Sequence, residues 1–310
     1  MLITILILQI IFVPLISPLA IGFIKKIKAK LQNRRGASIF QPYKDLWKLL
    51  HKDEVISSDA SWIFKVSPYI IFSITVIVGA SIPLFSSVLI NFYTTDILVI
   101  VYLLSIGTFF LALSGMDTGN SFGGFGSSRE MTISAMAEGG LIFSLLTMAI
   151  ISGTTNLFEI SNIGLFAFSK SILSVILAFI AFFIVLLAEN GRFPYDNPDT
   201  HLELTMIHEA MILEYSGKKL ALMEWAGANK FIIFTSLCAN IFFPFGIAQS
   251  VSLDALSIGI IVLIIKIIIF CLIIGFLESK MSKFRFFRLP DLLIVSFIIS
   301  IVAIGLINQL

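Results

Sequence analysis

One lysine, Lys266, stands at the midpoint of an otherwise apolar run from Ala255 to Leu277. A charge held at the centre of a bilayer costs at least ~2.5–3.5 kcal/mol, and such residues generally line ion, proton or substrate paths. Lys266 is therefore expected to face a protein or water interior and to find a carboxylate. The intramembrane candidate is Glu138, about two helical turns into a second apolar run that begins near Met131. The competing reading is a lysine that snorkels its ammonium to the headgroups. The central position opposes it.

Further carboxylates crowd one stretch: Glu189, Asp196, Asp199, Glu203, Glu209, Glu214 and Glu224. A solvated acidic face accounts for Glu224. It accounts poorly for Glu189, which directly continues an apolar run. A row of acids leading from a loop toward Glu138 and Lys266 has the chemistry of a proton path, because each group can change charge when a neighbour titrates or moves. A helix is expected from about Thr200 to Tyr215, with Asp199 or Thr200 as N-cap and Glu203 as capping partner. At 100° per residue, Glu203 and Glu214 fall within about 20° of each other. His201 and His208 share the opposite face about 10 Å apart, too far to chelate one metal. Position 212 is isoleucine, so the second histidine of HExxH is missing. Two readings of these histidines stay open: partner-facing or capping residues, or groups that titrate near neutral pH.

Several chemistries lack their ligands. Cys238 and Cys271 are far apart and form no CxxC pair, so this chain alone builds no iron–sulfur cluster or Cys-ligated metal site. His51, His201 and His208 all fall outside the apolar runs, which removes a bis-histidine membrane haem. The glycine-rich stretch Gly119–Gly126 matches neither phosphate-binding fingerprint, and no Walker loop occurs. Redox cofactors would have to come from partner subunits.

The elements that must position these groups are set by composition. Hydrophobic residues make up 58% of the 310, charged residues 13%. That is the balance of a polytopic membrane protein, in which each span needs about 20 apolar residues. The expected fold is all-α, with eight transmembrane helices near Leu2–Ile24, Val66–Ile90, Ile97–Ser114, Met131–Ile151, Leu165–Ala188, Phe231–Gln249, Ala255–Leu277 and Leu289–Ile307. The segments 25–65, 115–130, 189–230 and 278–288 carry 19 of the 21 Lys and Arg residues; only Lys170 lies opposite, and Lys266 is inside a span. The positive-inside rule makes those four segments cytoplasmic and puts both termini outside. The N-terminal run has no basic leader and no small-residue cleavage site before Lys25, so it reads as a retained span containing Pro14 and Pro18. Residues 1–310 read as one integral-membrane helical domain.

The first basic segment has two parts. Lys25 to Arg35 can meet anionic headgroups. Tyr43, Leu46, Trp47 and Leu50 then share one face of an amphipathic helix suited to the membrane boundary or to a partner. These residues also carry a family resemblance. Arg34-Arg35-Gly36, Gln41-Pro42, Asp45 and Lys48-Leu49 resemble the first cytoplasmic loop of complex I subunit 1 and its hydrogenase relatives. Ser114-Gly115-Met116-Asp117-Thr118-Gly119 and Gly126-Ser127-Ser128-Arg129-Glu130 resemble the branch of formate hydrogenlyase subunit 4 and hydrogenase-4 component C. Pro194-Tyr195-Asp196, Glu214-Tyr215-Ser216-Gly217 and Glu278 with Met281 are similar to further motifs of the superfamily. The resemblance runs from about residue 5 to 305.

It implies a subunit of a prokaryotic inner-membrane complex with eight core helices and no redox centre of its own. It implies an iron–sulfur subunit and a [NiFe]-hydrogenase-like large subunit in a peripheral arm, and antiporter-like membrane subunits that move H⁺ or Na⁺; nucleic acid has no place in it. Glu138, Glu189, Asp199, Glu203, Glu209, Glu214 and Lys266 become expected coupling residues. Arg34, Arg35, Arg129, Arg192 and Asp196 become expected docking residues. One departure counts against quinone binding: quinone-using relatives carry a glutamate where His201 stands, in a shorter loop. The rival readings are a quinone-chamber subunit of an NADH:quinone oxidoreductase, an independent ion transporter, and a purely structural anchor.

Overall fold

The computed structural model describes residues 2–88, 93–196 and 206–307, with the side chains of Leu2, Tyr93 and 164–170 outside the description. The helices are α1 (Leu2–Leu31), α2 (Gln41–Leu50), α3 (Trp62–Ser81), α4 (Ile97–Asp117), α5 (Ser121–Ser152), α6 (Leu157–Lys170), α7 (Ile172–Glu189), α8 (His208–Ile212), α9 (Gly217–Ile241), α10 (Leu253–Lys280) and α11 (Leu289–Ile307). Among the described residues the β pairing amounts to two isolated bridges, Ser86 with Ala248 and Asp96 with Asn156. Both tie together turns at the end of the bundle away from the basic segments.

Local chemistry fixes several helix starts. Ser61, Asp96 and Asn120 cap α3, α4 and α5, accepting from the amides of Ile63, Leu98 and Phe122. Gly153, at φ 72°, closes α5 in the left-handed conformation, where a side chain would be strained.

Seven helices are long and apolar enough to cross a membrane: α1, α3, α4, α5, α7, α10 and α11. The eighth expected span, Phe231–Gln249, corresponds to α9, which begins at Gly217 and stops at Ile241. At about 37 Å it is long enough to cross. It carries Glu224, Asn229, Lys230 and Asn240, and every residue from Phe231 to Ile241 is buried. A helix walled by other helices rather than lipid can hold polar groups, which is why hydropathy alone misjudges it. One continuous apolar cluster joins α1, α3, α4, α5, α7, α9, α10 and α11 around it.

Other boundaries also shift. The expected span 66–90 ends as helix at Ser81, and 82–87 continues as a buried, non-helical segment. The expected span 165–188 divides into the end of α6 and α7. The basic segment 115–130 is mostly the first turns of α5. Gly123 is there for packing: a Cβ on it would lie 2.0 Å from the Gly115 carbonyl oxygen of α4. The helix expected from Thr200 to Tyr215 is described only as α8; Glu214 sits in the turn after it, and Asp199, Thr200, His201 and Glu203 lie outside the described residues.

The amphipathic helix is α2, with Leu46 buried and Trp47 67% exposed. The Tyr43 hydroxyl donates to the Leu15 carbonyl of α1.

Candidate functional site

The helix α5 presents Glu130, Ser134 and Glu138 at intervals of four residues, so all three line one face. Opposite them are the last residue of α7, Glu189, and Lys230 of α9. The Lys230 ammonium donates to Glu189 Oε2 at 2.8 Å. The Ser134 hydroxyl reaches Glu189 Oε1 at 3.5 Å, the limit of a direct bond. The Ser105 hydroxyl of α4 donates to Glu138 Oε1 at 3.3 Å. Glu130 is 8% exposed and lies within electrostatic reach of Lys230, Glu189 and Asp196.

Two small cavities run along this row. One, of about 10 Å³, is lined by Ser105, Thr108, Ser134, Glu138 and Glu189 among others. The second, of about 40 Å³, shares Leu104 and Thr108 with the first and reaches Thr75, His208 and Lys230. A water needs about 10–15 Å³ on this measure and two to four polar partners. Both conditions are met, with room for about one water in the first cavity and about three in the second. Donors and acceptors thus alternate from His208 through Lys230, Glu189 and Ser134 to Glu138.

His208 is held neutral. Burial pushes its pKa down to about 4, Lys230 and Arg192 push the same way, and Asp196 opposes them. That lowered pKa argues against titration of His208 near neutral pH, one of the two readings left open by sequence. Its neutral ring offers one hydrogen-bond donor and one acceptor.

A second set of pairs fastens the basic end. Arg192 Nη1 donates to Glu278 Oε1 at 3.1 Å, Lys28 stands 3.6 Å from Glu278 Oε2, and the Arg192 guanidinium lies 5.1 Å over the Phe231 ring. Asp196 receives Lys283 at 2.6 Å and the backbone amides of Ile207 and His208 at 3.2 and 3.1 Å. Arg129 donates to the Met206 carbonyl at 3.2 Å and lies over Phe286. Arg192 and Asp196 are 8% and 3% exposed, so these expected docking residues are spent inside the chain, where they shape the loop. Arg34 and Arg35 are exposed after α1. Glu209 is half-buried on α8, and exposed Glu214 accepts from Asn120 Nδ2 at 2.6 Å.

Lys266 has no carboxylate partner among the described residues. Its ammonium donates to Asn240 Oδ1 at 2.9 Å and to the Phe243 carbonyl at 2.7 Å. Asn240 Nδ2 in turn donates to the carbonyls of Pro83 and Leu84, at 2.8 and 2.6 Å. The reason is local: α9 ends at Ile241, near the negative end of its dipole, and the Asn240 amide oxygen of its last turn and the Phe243 carbonyl just past it, which also accepts from the Phe245 amide, both face the ammonium. These two oxygens satisfy a buried cation without an acid. Lys266 therefore stands about 15 Å along α9 from Lys230, outside the row that holds Glu138 and Glu189.

Sequence reading missed Lys230, Glu130 and Ser134 as site residues. The available signal was the i, i+4, i+8 recurrence of polar groups at 130, 134 and 138 in a helix otherwise suited to lipid. Lys230 was hidden by its place at the edge of an apolar run, where it counted as loop charge.

Buried ion pairs, two water-sized cavities and a bundle of long apolar helices define a polytopic membrane subunit. The family model described as NADH dehydrogenase matches residues 3–308, and the chain belongs to that family. It is 34% identical to hydrogenase-4 component C of Escherichia coli (strain K12), over 90% of this chain and 87% of that protein. It is 28% identical to formate hydrogenlyase subunit 4 of the same organism, over 87% of each. A subunit of the NADH-quinone oxidoreductase of Paraburkholderia phymatum is 25% identical over 82% of this chain and 74% of that protein. The fold matches a chain of the membrane-bound sulfane sulfur reductase, an archaeal respiratory membrane complex, with TM-score 0.80 at 22% identity, covering 97% of this chain and 98% of that one.

Proposed function

We propose that this chain is the membrane-anchor and coupling subunit of an energy-converting complex of the hydrogenase-4 and formate hydrogenlyase type. It would seat a peripheral arm containing an iron–sulfur subunit and a [NiFe]-hydrogenase-like large subunit, and would adjoin antiporter-like subunits that move H⁺ or Na⁺. The basic segments would face the cytoplasm of a prokaryotic cell, with both termini outside. Hydrogenase-4 component C and formate hydrogenlyase subunit 4 are more similar to this chain than the quinone-linked relative above, which supports the hydrogenase side. The cavity beside His208, at about 40 Å³, suits a few waters and is small for a quinone ring.

The observation that carries the coupling role is the Lys230–Glu189 pair at the junction of the two cavities. If rearrangement of the basic-end loop drew Lys230 away, Glu189 would be left as a buried unpaired anion and would take up a proton. Return of Lys230 would drive that proton off, through Ser134 and a bridging water, to Glu138. Arg192 and Asp196, pinned to Glu278 and Lys283, connect that loop to α10 and to the segment preceding α11.

The test is Lys230→Met beside Glu138→Gln in the assembled complex, reconstituted in vesicles. Both variants are expected to retain electron transfer and to lose ion translocation per electron. Normal translocation in both would remove the row from the mechanism.

A further inference from the structure

Where α1 and α10 cross, Gly275 allows close approach: a Cβ there would lie 2.9 Å from Ile27 Cγ2. Beside that crossing the two helices leave an open furrow of about 410 Å³, lined by Ile27, Leu31, Leu272, Ile273, Phe276 and Leu277. The lining is entirely apolar, and Leu272, Ile273 and Phe276 are 47%, 41% and 52% exposed. At its basic end stand exposed Lys30, one turn after Ile27, and exposed Lys280, one turn after Phe276. Arg34 and Arg35 follow, also exposed. The nearby acid, Glu278, is buried and already held by Arg192 and Lys28. A basic rim whose Lys30 and Lys280 meet no acid among the described residues, beside an apolar furrow, is complementary to one kind of molecule.

We propose that this furrow is a binding site for an anionic phospholipid, its acyl chain lying between α1 and α10 and its phosphate held by Lys30 and Lys280. The apolar lining gives the chain a dry surface, and the rim selects headgroup charge, since juxtamembrane lysines attract anionic lipids. Neither lysine belongs to the buried row, so the site is independent of the coupling reading. A transmembrane helix of another subunit could use the apolar lining, but it would leave the lysine rim without an anion.

The proposal is tested by placing a photoreactive benzoylphenylalanine at position 272 in the complete complex. The complex is reconstituted in vesicles of equal parts phosphatidylglycerol and phosphatidylcholine with identical acyl chains. Adducts at that residue are then identified by mass spectrometry. The expected ratio of phosphatidylglycerol to phosphatidylcholine adducts is well above the bulk ratio of one. Lys30→Gln with Lys280→Gln should cut that ratio about tenfold while leaving total lipid adduct unchanged. The same probe at Phe276 repeats the measurement if position 272 does not tolerate it. Adducts in proportion to bulk lipid, or an adduct to a partner peptide, would each overturn the proposal.

Discussion

Two largely buried lysines, separated by about ten residues' length of α9, satisfy their charge in opposite ways. Lys230 sits against a carboxylate, Glu189, with water-sized cavities on both sides. Lys266 sits against an amide oxygen and a backbone carbonyl at the end of a helix. The first arrangement contains a partner that can itself gain or lose a proton, so movement of the lysine changes protonation. The second contains no acid among the described residues, and its hydrogen bonds tie α10 to the end of α9. A charged residue in an apolar run is a place to look; whether it handles protons depends on the chemistry of what it touches.

The largest difference should appear when each lysine loses its charge. Lys230→Met strands Glu189 in a largely buried site, and breaking such a pair costs about 3–5 kcal/mol unless the acid takes up a proton. The expected result is a thermal midpoint of the complex lowered well beyond that of Lys266→Met. An unchanged midpoint would show that the pair does not hold the bundle together.

Lys266→Met should cost less, about 1–2 kcal/mol, for a lost helix-end cation and two hydrogen bonds to neutral acceptors. Its deficit should not change with pH, and translocation per electron should stay intact in whatever complex assembles. Loss of translocation at unchanged thermal midpoint would return Lys266 to the proton path and erase the distinction between the two lysines.

The smallest effect concerns His208. Its pKa is lowered to about 4 in the folded chain from an ordinary 6.5. The unfolded chain therefore binds the extra proton first, and stability falls as pH drops from 6.5 toward 4. The expected loss is under about 1 kcal/mol between pH 7 and 6. His208→Gln should flatten that part of the profile, as read from thermal midpoints across the range. A histidine still protonated at neutral pH, seen in its ring-proton chemical shifts, would contradict the environment described for it.

Much of this was legible in the residues. Apolar runs and lysine asymmetry indicated a polytopic helical bundle, and Glu138 and Glu189 were picked out as acids in the wrong solvent for a surface role. What could not be read was partnership. Glu189 and Lys230 are 41 residues apart and meet only because α7 and α9 pack together. Asn240 gives no sign in sequence that it will serve Lys266, since an amide in an apolar run suggests nothing about the carbonyls of Pro83 and Leu84. Helix ends were misplaced for a related reason: Gly123 looks like loop material until the helix it packs against is known. Hydropathy also assumes that a spanning helix meets lipid, and α9 meets protein.

The segment 82–87 has a consequence for how the chain is made. Its carbonyls at Ile82, Pro83 and Leu84 lie within the bundle, and their donors are Gln9 and Asn240. Gln9 has been synthesised before that segment leaves the ribosome, whereas Asn240 arrives more than 150 residues later and is itself secured by Lys266. Two of these three carbonyls of an early segment thus wait for a late helix. A nascent chain halted before α9 would hold unsatisfied backbone oxygens at membrane depth, a state that an insertion chaperone or a membrane protease could distinguish from the finished subunit.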